Sequence, residues 1–300
     1  MKNHYNPRVY LRRFFNSQDV HAYNKNRKKS YEKAIGAVSF KEYLYRIPKK
    51  LLAAFSEEID REGFLERFYQ LSIENNYNDN FASIAKSLIE QVPINKNTLD
   101  YFEHFLLIQG LRTPIARDKL QQILKDHPEQ KEKIHSIGVN LGESWNEDEI
   151  TFLFFLMYTI DDRMRANLAK SLGFQRKRLQ FIVNRSSQKF IANDNIFVNL
   201  PDPKNEEETT FAYPINQSIM LAVVTTENAA DGVFVFETED ERTVNFFDKH
   251  IHRQAQEFVY SSKDNCVYYE NDLKSIPFRK LHRKLWEGEI YKLQIADEEI

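Results

Sequence analysis

The sequence predicts an α+β fold, in which a large helical region separates two β-rich stretches. Three observations carry that expectation. Between Lys49 and about Gly173, apolar residues recur at helical spacing: Leu51, Leu52, Phe55 and Ile59, then Phe64, Leu65, Phe68 and Leu71, then Leu99, Phe102, Phe105 and Leu106. After Gln180 the chain turns to short apolar runs separated by Pro, Asn and acidic turns. The opening segment holds a hairpin pattern too small to bury a core alone, so it is expected to complete the C-terminal sheet.

The first 40 residues read as an extended N-terminus followed by a hairpin. His21-Ala22-Tyr23 and Ser30-Tyr31-Glu32 flank the polar centre Asn24 to Lys29, which is turn chemistry. Within the helical region, Asn146 stands three residues before Glu149 and ahead of an apolar run over 150–160, the pattern of a capping box, and Gly173 suits a helix end. Strands are expected at Phe190–Ala192, Ile196–Leu200, Ile219–Thr225 and Val233–Phe236. One helix interrupts them from Glu241 to about Tyr260, with Val244, Phe247, Ile251, Ala255 and Val259 on one face. Pro201 to Thr210 reads as an exposed acidic loop. The expected organisation is one α+β domain over 1–300. Its parts are a basic N-terminal β segment (1–48), a helical region (49–180) and a β-rich part with one long helix (181–300).

Composition removes several classes of function. Only 8 of the 300 residues are glycine, and neither Gly-x-Gly-x-x-Gly nor Gly-x-x-x-x-Gly-Lys-Ser/Thr occurs, so the familiar nucleotide-binding loops are absent. Cys266 is the single cysteine, which excludes disulfide frameworks and thiolate metal clusters and leaves a buried structural thiol as its expected role. The N-terminus is charged and aromatic where a signal peptide needs an apolar core. The longest apolar run, Phe152 to Tyr158, is far short of the roughly 20 residues that span a bilayer. A cytoplasmic protein with no membrane partner is expected.

Charge is laid out in blocks. Residues 1–50 hold 13 Lys and Arg against Asp19, Glu32 and Glu42, a local balance of +10 in a chain whose total is −2. A second basic block, Arg163 to Lys189, contains no acid, and residues 190–241 carry 11 acids with only Lys204 opposing them. Segregation of this kind can build a positive face that suits an anionic partner, and it also fits solvated helix faces and a hairpin tip. Basic and aromatic residues interleave through Tyr5, Arg8, Tyr10, Arg12, Arg13 and Phe14, and again through Tyr23, Lys25, Arg27, Lys28, Lys29 and Tyr31. That mixture can grip phosphates and stack bases, so Arg12, Arg13, Lys25, Arg27, Lys28 and Lys29 are candidate nucleic-acid contacts. Aromatic residues at strand spacing equally build a core.

Several short motifs occur in order along the chain: His4-x-x-Pro7-Arg8-x-Tyr10-Leu11-x-x-Phe14, Tyr23-Asn24-Lys25, Tyr43-Leu44-Tyr45, Arg112-Thr113-Pro114, Phe190 to Asn195 and Tyr213-Pro214-Ile215 with Leu221, then Asn245, Ala255, Val259 and Tyr260. Together they resemble the domain of unknown function 4238 family, which is widespread in bacteria. The resemblance covers nearly the whole chain and departs at Asn6, where an apolar residue is usual, and at Asn193 and Ile196, where Ser and Pro are usual. It implies an architecture and no activity.

The polar members of these motifs are the candidate catalytic residues: His4, Arg8, Arg112, Asp194 and Asn195. Converging on one cleft, they suit phosphodiester chemistry, with His4 as acid or base, the two arginines as clamps on a developing phosphorane, Asp194 as orienting base and Asn195 as donor to an oxyanion. The competing expectation is structural: Arg8 and Arg112 paired with Asp194, Asn195 capping a turn, and His4 locking the N-terminus. Metal chemistry has less behind it. Asp161-Asp162 could hold a magnesium ion or could pair with Arg163 and Arg165, while His250 and His252 are two apart on an expected helix and point in different directions. No Gly-x-Ser-x-Gly turn supports Ser-His-Asp catalysis. The sequence thus leads to a nucleic-acid-processing effector, an RNA- or DNA-cleaving nuclease of a bacterial defence or toxin-like system. The alternatives are a non-catalytic nucleic-acid-binding module and a protein-interaction module, with protein partners and homo-oligomerisation both open.

Overall fold

The computed structural model describes residues 2–52, 60–129, 131–132, 135, 144–171, 177–195, 198–201, 209–225, 233–262 and 289–297. Gly173, Cys266, Ile196 and most of the acidic loop after Pro201 lie outside them. The α+β class holds, and none of the described helices is long and apolar enough to cross a membrane.

The N-terminus differs from the expected extended start. A short strand, β1 (Lys2–His4), is followed at once by a helix, α1 (Arg8–Phe15). Pro7 sits at the N-cap with φ −57°, so its missing N–H costs no helical bond, and Tyr10, Leu11, Phe14 and Phe15 are buried on one side. The alternation of basic and aromatic residues therefore has helical rather than strand period, and it leaves Arg8 and Arg12, one turn apart, exposed.

The hairpin forms as expected. Strands β2 (Asp19–Asn24) and β3 (Lys29–Ala34) pair with His21 opposite Glu32 and Tyr23 opposite Ser30. Its place in the fold is narrower than a single C-terminal sheet. With β12 (Phe258–Ser261) and β7 (Ala192–Asn193) it makes a four-stranded antiparallel sheet in the order β3-β2-β12-β7. The other C-terminal strands form a separate six-stranded sheet. These are β6 (Lys177–Asn184), β8 (Val198–Pro201), β9 (Thr209–Pro214), β10 (Ile219–Thr225), β11 (Val233–Thr238) and β13 (Glu289–Leu293), in the order β13-β11-β6-β10-β9-β8. Within that sheet β11 and β6 are parallel and the remaining pairs antiparallel. Two small pairs complete the β structure of the described residues: β1 with β4 (Phe40–Glu42), and β5 (Ile94–Asn95) with β14 (Ile295–Ala296).

The helical region runs through α2 (Lys49–Leu52), α3 (Phe64–Tyr69), α4 (Tyr77–Glu90), α5 (Lys96–Arg112), α6 (Pro114–Asp126), α7 (Glu147–Ile160) and α8 (Asp162–Ser171). The capping box opens α7: the Asn146 side chain accepts from the Glu149 N–H, and the Glu149 carboxylate accepts from the Asn146 N–H. The last described helix, α9 (Glu241–Gln254), stops earlier than its apolar stripe suggests, because Phe258, Val259 and Tyr260 belong to β12. Its buried residues face β7 and β8.

An aromatic cluster joins the helical region to the large sheet. The rings of Tyr10, Tyr77, Phe105 and Tyr213 lie within 5.2–6.1 Å of one another through successive contacts. Their hydroxyls do a second job: Tyr10 donates to the Pro214 carbonyl at 3.0 Å and Tyr77 to the Ile215 carbonyl at 3.2 Å. Each pairing adds about 0.5–1.5 kcal/mol beyond the area it buries, and the two hydroxyls satisfy carbonyls at the turn after β9. This cluster fixes α1 and α4 against the sheet and so sets the position of Arg8.

Candidate active site

Arg112 is the last residue of α5 and is 1% exposed. The residues after it explain the Arg-Thr-Pro spacing: Thr113 accepts from the Ala116 N–H as the cap of α6, and Pro114 takes the first helical position, where no N–H is needed. The motif is a tight junction between two helices, and it turns the arginine inward. There its guanidinium donates to Glu74 at 2.5 Å and to Glu66 at 3.5 Å, lies 4.5 Å from the centre of the Tyr69 ring and 5.9 Å from that of Tyr45. The Tyr45 hydroxyl donates to the Arg112 carbonyl at 2.8 Å, which accounts for the second tyrosine of Tyr-Leu-Tyr. Burial works against the guanidinium charge, but Tyr45, Glu74 and Glu66 outweigh it and its pKa is raised.

Glu66 and Glu74 meet at one arginine because the helix between them is irregular. Eight residues of regular α-helix would set two side chains about 80° apart around the axis. Residues Gln70–Glu74 form a π-helical turn, closed by the bond from the Asn75 N–H to the Gln70 carbonyl at 3.0 Å, and its smaller rotation per residue brings Glu74 back toward the face of Glu66. Glu66 also accepts from the Asn3 side chain at 3.1 Å and from the His4 backbone, which ties β1 to α3. Burial pushes the Glu66 carboxyl above its ordinary range, with Arg112 and Asn3 pulling the other way.

These carboxylates open onto a cleft of about 600 Å³ between α1 and α3. Glu66 and Glu74 are 24% and 22% exposed there, so each has one side on Arg112 and one on solvent. Arg8 from α1 and Arg67 from α3 also line the cleft, both are exposed, and neither makes an ion pair or side-chain hydrogen bond among the described residues. Asp60 lines it too, folded back so that its carboxylate accepts from the Glu62 N–H at 3.1 Å and lies where a Cβ on Gly63 would fall.

His4 stands beside this cleft without lining it. Its Nδ1 is 3.2 Å from the Val38 carbonyl, and because a carbonyl can only accept, that nitrogen carries the proton and Nε2 is left as an acceptor. Burial and Arg8 lower its pKa, so the ring is neutral at pH 7.

Asp194 and Asn195 lie elsewhere. Asp194 is 3% exposed, and its carboxylate accepts three backbone N–H bonds, from Gln256 at 2.7 Å, Glu257 at 2.6 Å and Phe258 at 2.8 Å. Burial pushes this carboxyl up and the three donors draw it down. Asn195 donates to the Gln254 carbonyl at 3.3 Å, and Asn193 donates to the Ile251 carbonyl. The Phe190–Asn195 element thus holds the end of α9 and the start of β12, and it makes no hydrogen bond or ion pair with His4, Arg8 or Arg112. Two of the departures from the family pattern meet here, since the fully buried Asn6 donates to the Asn193 carbonyl at 2.9 Å and to Ser39 at 3.1 Å.

The basic residues divide as well. Arg12 is exposed on the same side of α1 as Arg8. Arg13 stacks over Phe81 at 4.3 Å. Lys25 donates to the Arg253 and Ala255 carbonyls at 3.2 and 2.8 Å, where it complements the negative end of α9. Arg27, Lys28 and Lys29 are exposed at the hairpin tip, with Lys28 at φ 52°. Of the acids considered for magnesium, Asp161 caps α8 by accepting from the Arg163 and Met164 N–H groups at 2.9 Å, and Asp162 pairs with Arg165. His250 packs on Phe246 while His252 is buried beside Tyr23, so the two rings face different neighbours.

Of the five candidate catalytic residues, Arg8 lines the cleft while Arg112 lies buried behind its carboxylates and His4 beside it, and Glu66, Glu74 and Arg67 join them without any sequence motif to announce them. The signal that could have pointed to the carboxylates is physical: an arginine in an otherwise apolar helix end needs a counter-charge, although periodicity cannot say which acid supplies it. Comparison with curated proteins and with solved structures returned no match. The model of the family described as "Protein of unknown function (DUF4238)" matches residues 2–265, a span that takes in the cleft and the Asp194 loop alike. The chain belongs to the DUF4238 family.

Proposed function

We propose that the protein processes nucleic acid by cleaving a phosphodiester bond in the cleft between α1 and α3. One observation carries this reading: two guanidiniums without an ion-pair partner among the described residues, Arg8 and Arg67, share the cleft with two carboxylates that a buried arginine holds in place. Guanidiniums suit a phosphate, and anchored carboxylates can take and return protons beside it. Arg12, one turn beyond Arg8, continues the positive stripe along α1 and gives a strand a second phosphate contact. His4, neutral and with Nε2 as acceptor, adds a second basic group next to the pair.

A non-catalytic binding module is the second reading, favoured by the exposed Arg27 and Lys29 at the hairpin tip, which need no cleft to grip a strand. We place the activity in the bacterial cytoplasm, within a defence or toxin-like system. The deciding experiment is cleavage and filter binding of end-labelled RNA and DNA, with and without magnesium, by the wild type and by an Arg8→Ala/Arg67→Ala variant. Both substituted residues are exposed and hold no other described group in place, so the variant is expected to fold. Cleavage falling about 100-fold in the variant supports the reading. Binding without cleavage that survives in the variant moves the function to the hairpin tip, and absence of both removes it.

A further inference from the structure

Within the reading of this cleft as a phosphodiesterase site, on which the inference rests, we propose that the substrate is RNA and that the attacking group is the ribose 2′-hydroxyl of the substrate itself. The cleft lining is the reason. Among the described residues it contains acids, arginines and amides with Val9 and Gly63, and no hydroxyl, thiol, amine or imidazole side chain. Among the described residues, no three His, Cys, Asp or Glu side chains cluster, although Asp60, Glu66 and Glu74 share this cleft. What this lining supplies is proton transfer and phosphate binding. Those suffice when the nucleophile is already attached to the substrate, because an intramolecular hydroxyl is present at a very high effective concentration.

The two carboxyl groups have different surroundings, which divides their roles. Glu74 holds Arg112 at 2.5 Å and is assigned the role of base. Glu66 is 3.5 Å from the same guanidinium, and burial favours its protonated form, so it serves as the acid. Glu74 accepts the proton of the 2′-hydroxyl, and the 2′-oxygen forms its bond to phosphorus while the bond from phosphorus to the 5′-oxygen breaks. The leaving 5′-oxygen takes the proton of Glu66. The products are a 2′,3′-cyclic phosphate and a 5′-hydroxyl, with the two carboxyl groups in exchanged protonation states that solvent resets. Arg8 and Arg67 neutralise the charge that grows on the non-bridging oxygens.

The test incubates the full chain in EDTA with three end-labelled strands of one sequence: RNA, the same RNA with 2′-O-methyl groups, and DNA. Products are resolved by mass spectrometry, and Glu74→Gln and Glu66→Gln are run beside the wild type with circular dichroism as a check of folding. The expected result is RNA cut to cyclic-phosphate ends, the other two strands intact, and a loss of at least 100-fold in each folded variant. Cleavage of DNA or of 2′-O-methyl RNA, dependence on added metal, or 3′-hydroxyl ends would overturn the 2′-hydroxyl mechanism and leave a nuclease at this cleft. If every strand stays intact in EDTA and in magnesium, the inference and the phosphodiesterase reading fall together. Should a Gln variant fail to fold, Arg67→Ala, which breaks no described contact, decides the same point: loss of the cyclic-phosphate product supports the mechanism, and its persistence at the wild-type rate overturns it.

Discussion

Two buried charges, Arg112 and Asp194, stand in comparable family motifs and are built in opposite ways. Arg112 is balanced by side chains, and the carboxylates that balance it remain open to a cleft. Asp194 is satisfied by three successive backbone N–H groups and lines neither of the two cavities found among the described residues. The difference teaches how to separate a working charge from a fastening one. A carboxylate whose acceptor sites are filled by main chain has none left for a substrate, whereas a carboxylate shared between an arginine and solvent can still bind or exchange a proton. Low exposure alone does not distinguish them, since both are at 3% or less.

The largest expected effect comes from breaking the closed side. Asp194→Ala removes the acceptor of three N–H groups at the join of α9 and β12, and orphaned buried donors cost about 1–3 kcal/mol each. Allowing for water that enters the gap, urea unfolding is expected to show a loss of about 3–5 kcal/mol. The folded fraction should keep the oligonucleotide affinity of the wild type. An Asp194→Ala protein of full stability that no longer binds or cleaves would put Asp194 on the working side and break the comparison.

Breaking the open side should cost less. Arg112→Met leaves Glu66 and Glu74 without their partner, but both can turn to solvent or take up a proton, so about 2–4 kcal/mol is expected rather than the full cost of a sealed ion pair. Adding Glu66→Gln and Glu74→Gln to Arg112→Met removes the stranded charges and should return about half of that loss. Denaturant unfolding of the wild type, Arg112→Met, Glu66→Gln/Glu74→Gln and the triple variant measures the coupling directly, and strict additivity would show that the three residues do not act as a unit.

How much of this was legible in the sequence follows from the same contrast. The hairpin, the capping box and the strand Ile219–Thr225 were readable because turn chemistry and short-range alternation specify them within a few residues. The first helix was not, because Tyr10, Leu11 and Phe14 among arginines satisfy a strand pattern about as well as a helical one until Pro7 is taken as a helix start. The split into two sheets depends on long-range pairing of β2 with β12, which no local pattern encodes. At the site, His4, Arg8 and Arg112 were visible as polar motif residues. Glu66, Glu74 and Arg67 were not, since their alignment depends on a single π turn in an ordinary-looking helix. Asp194 was visible as a residue and misplaced in space, because a carboxylate that fastens backbone looks the same in sequence as one that does chemistry.

That π turn gives a sharper probe of the open side. Deleting Leu71, which is 63% exposed, should restore regular helix with Glu66 and Glu74 seven residues apart, about 20° around the axis, so both still meet Arg112 while little buried surface is lost. The expected stability change is about 1 kcal/mol or less. Oligonucleotide cleavage should stay within a few-fold of the wild type. If it falls as far as in Glu74→Gln, the alignment of the two carboxylates is not what the cleft uses.

The smallest effect is a change in pH dependence, and its sign separates the two regions. A carboxyl raised in the folded state binds its proton more tightly there than in the unfolded chain. Stability from such a group is therefore greatest below the unfolded value of 4.5 and declines as pH climbs from there through the raised folded value. Glu66→Gln deletes this contribution, so its stability should fall less steeply than that of the wild type as pH rises above 4.5. His250, on α9, works in the other direction. Burial beside Phe246, with Arg253 nearby, lowers its pKa to about 4, so stability is lost as pH falls from 6.5 toward 4. His250→Gln should flatten that acid limb and leave the Glu66 limb untouched. Unfolding curves between pH 4 and 7 for the two variants test both signs together, and a single variant that altered both limbs would show that the cleft and the helix Glu241–Gln254 are electrostatically coupled.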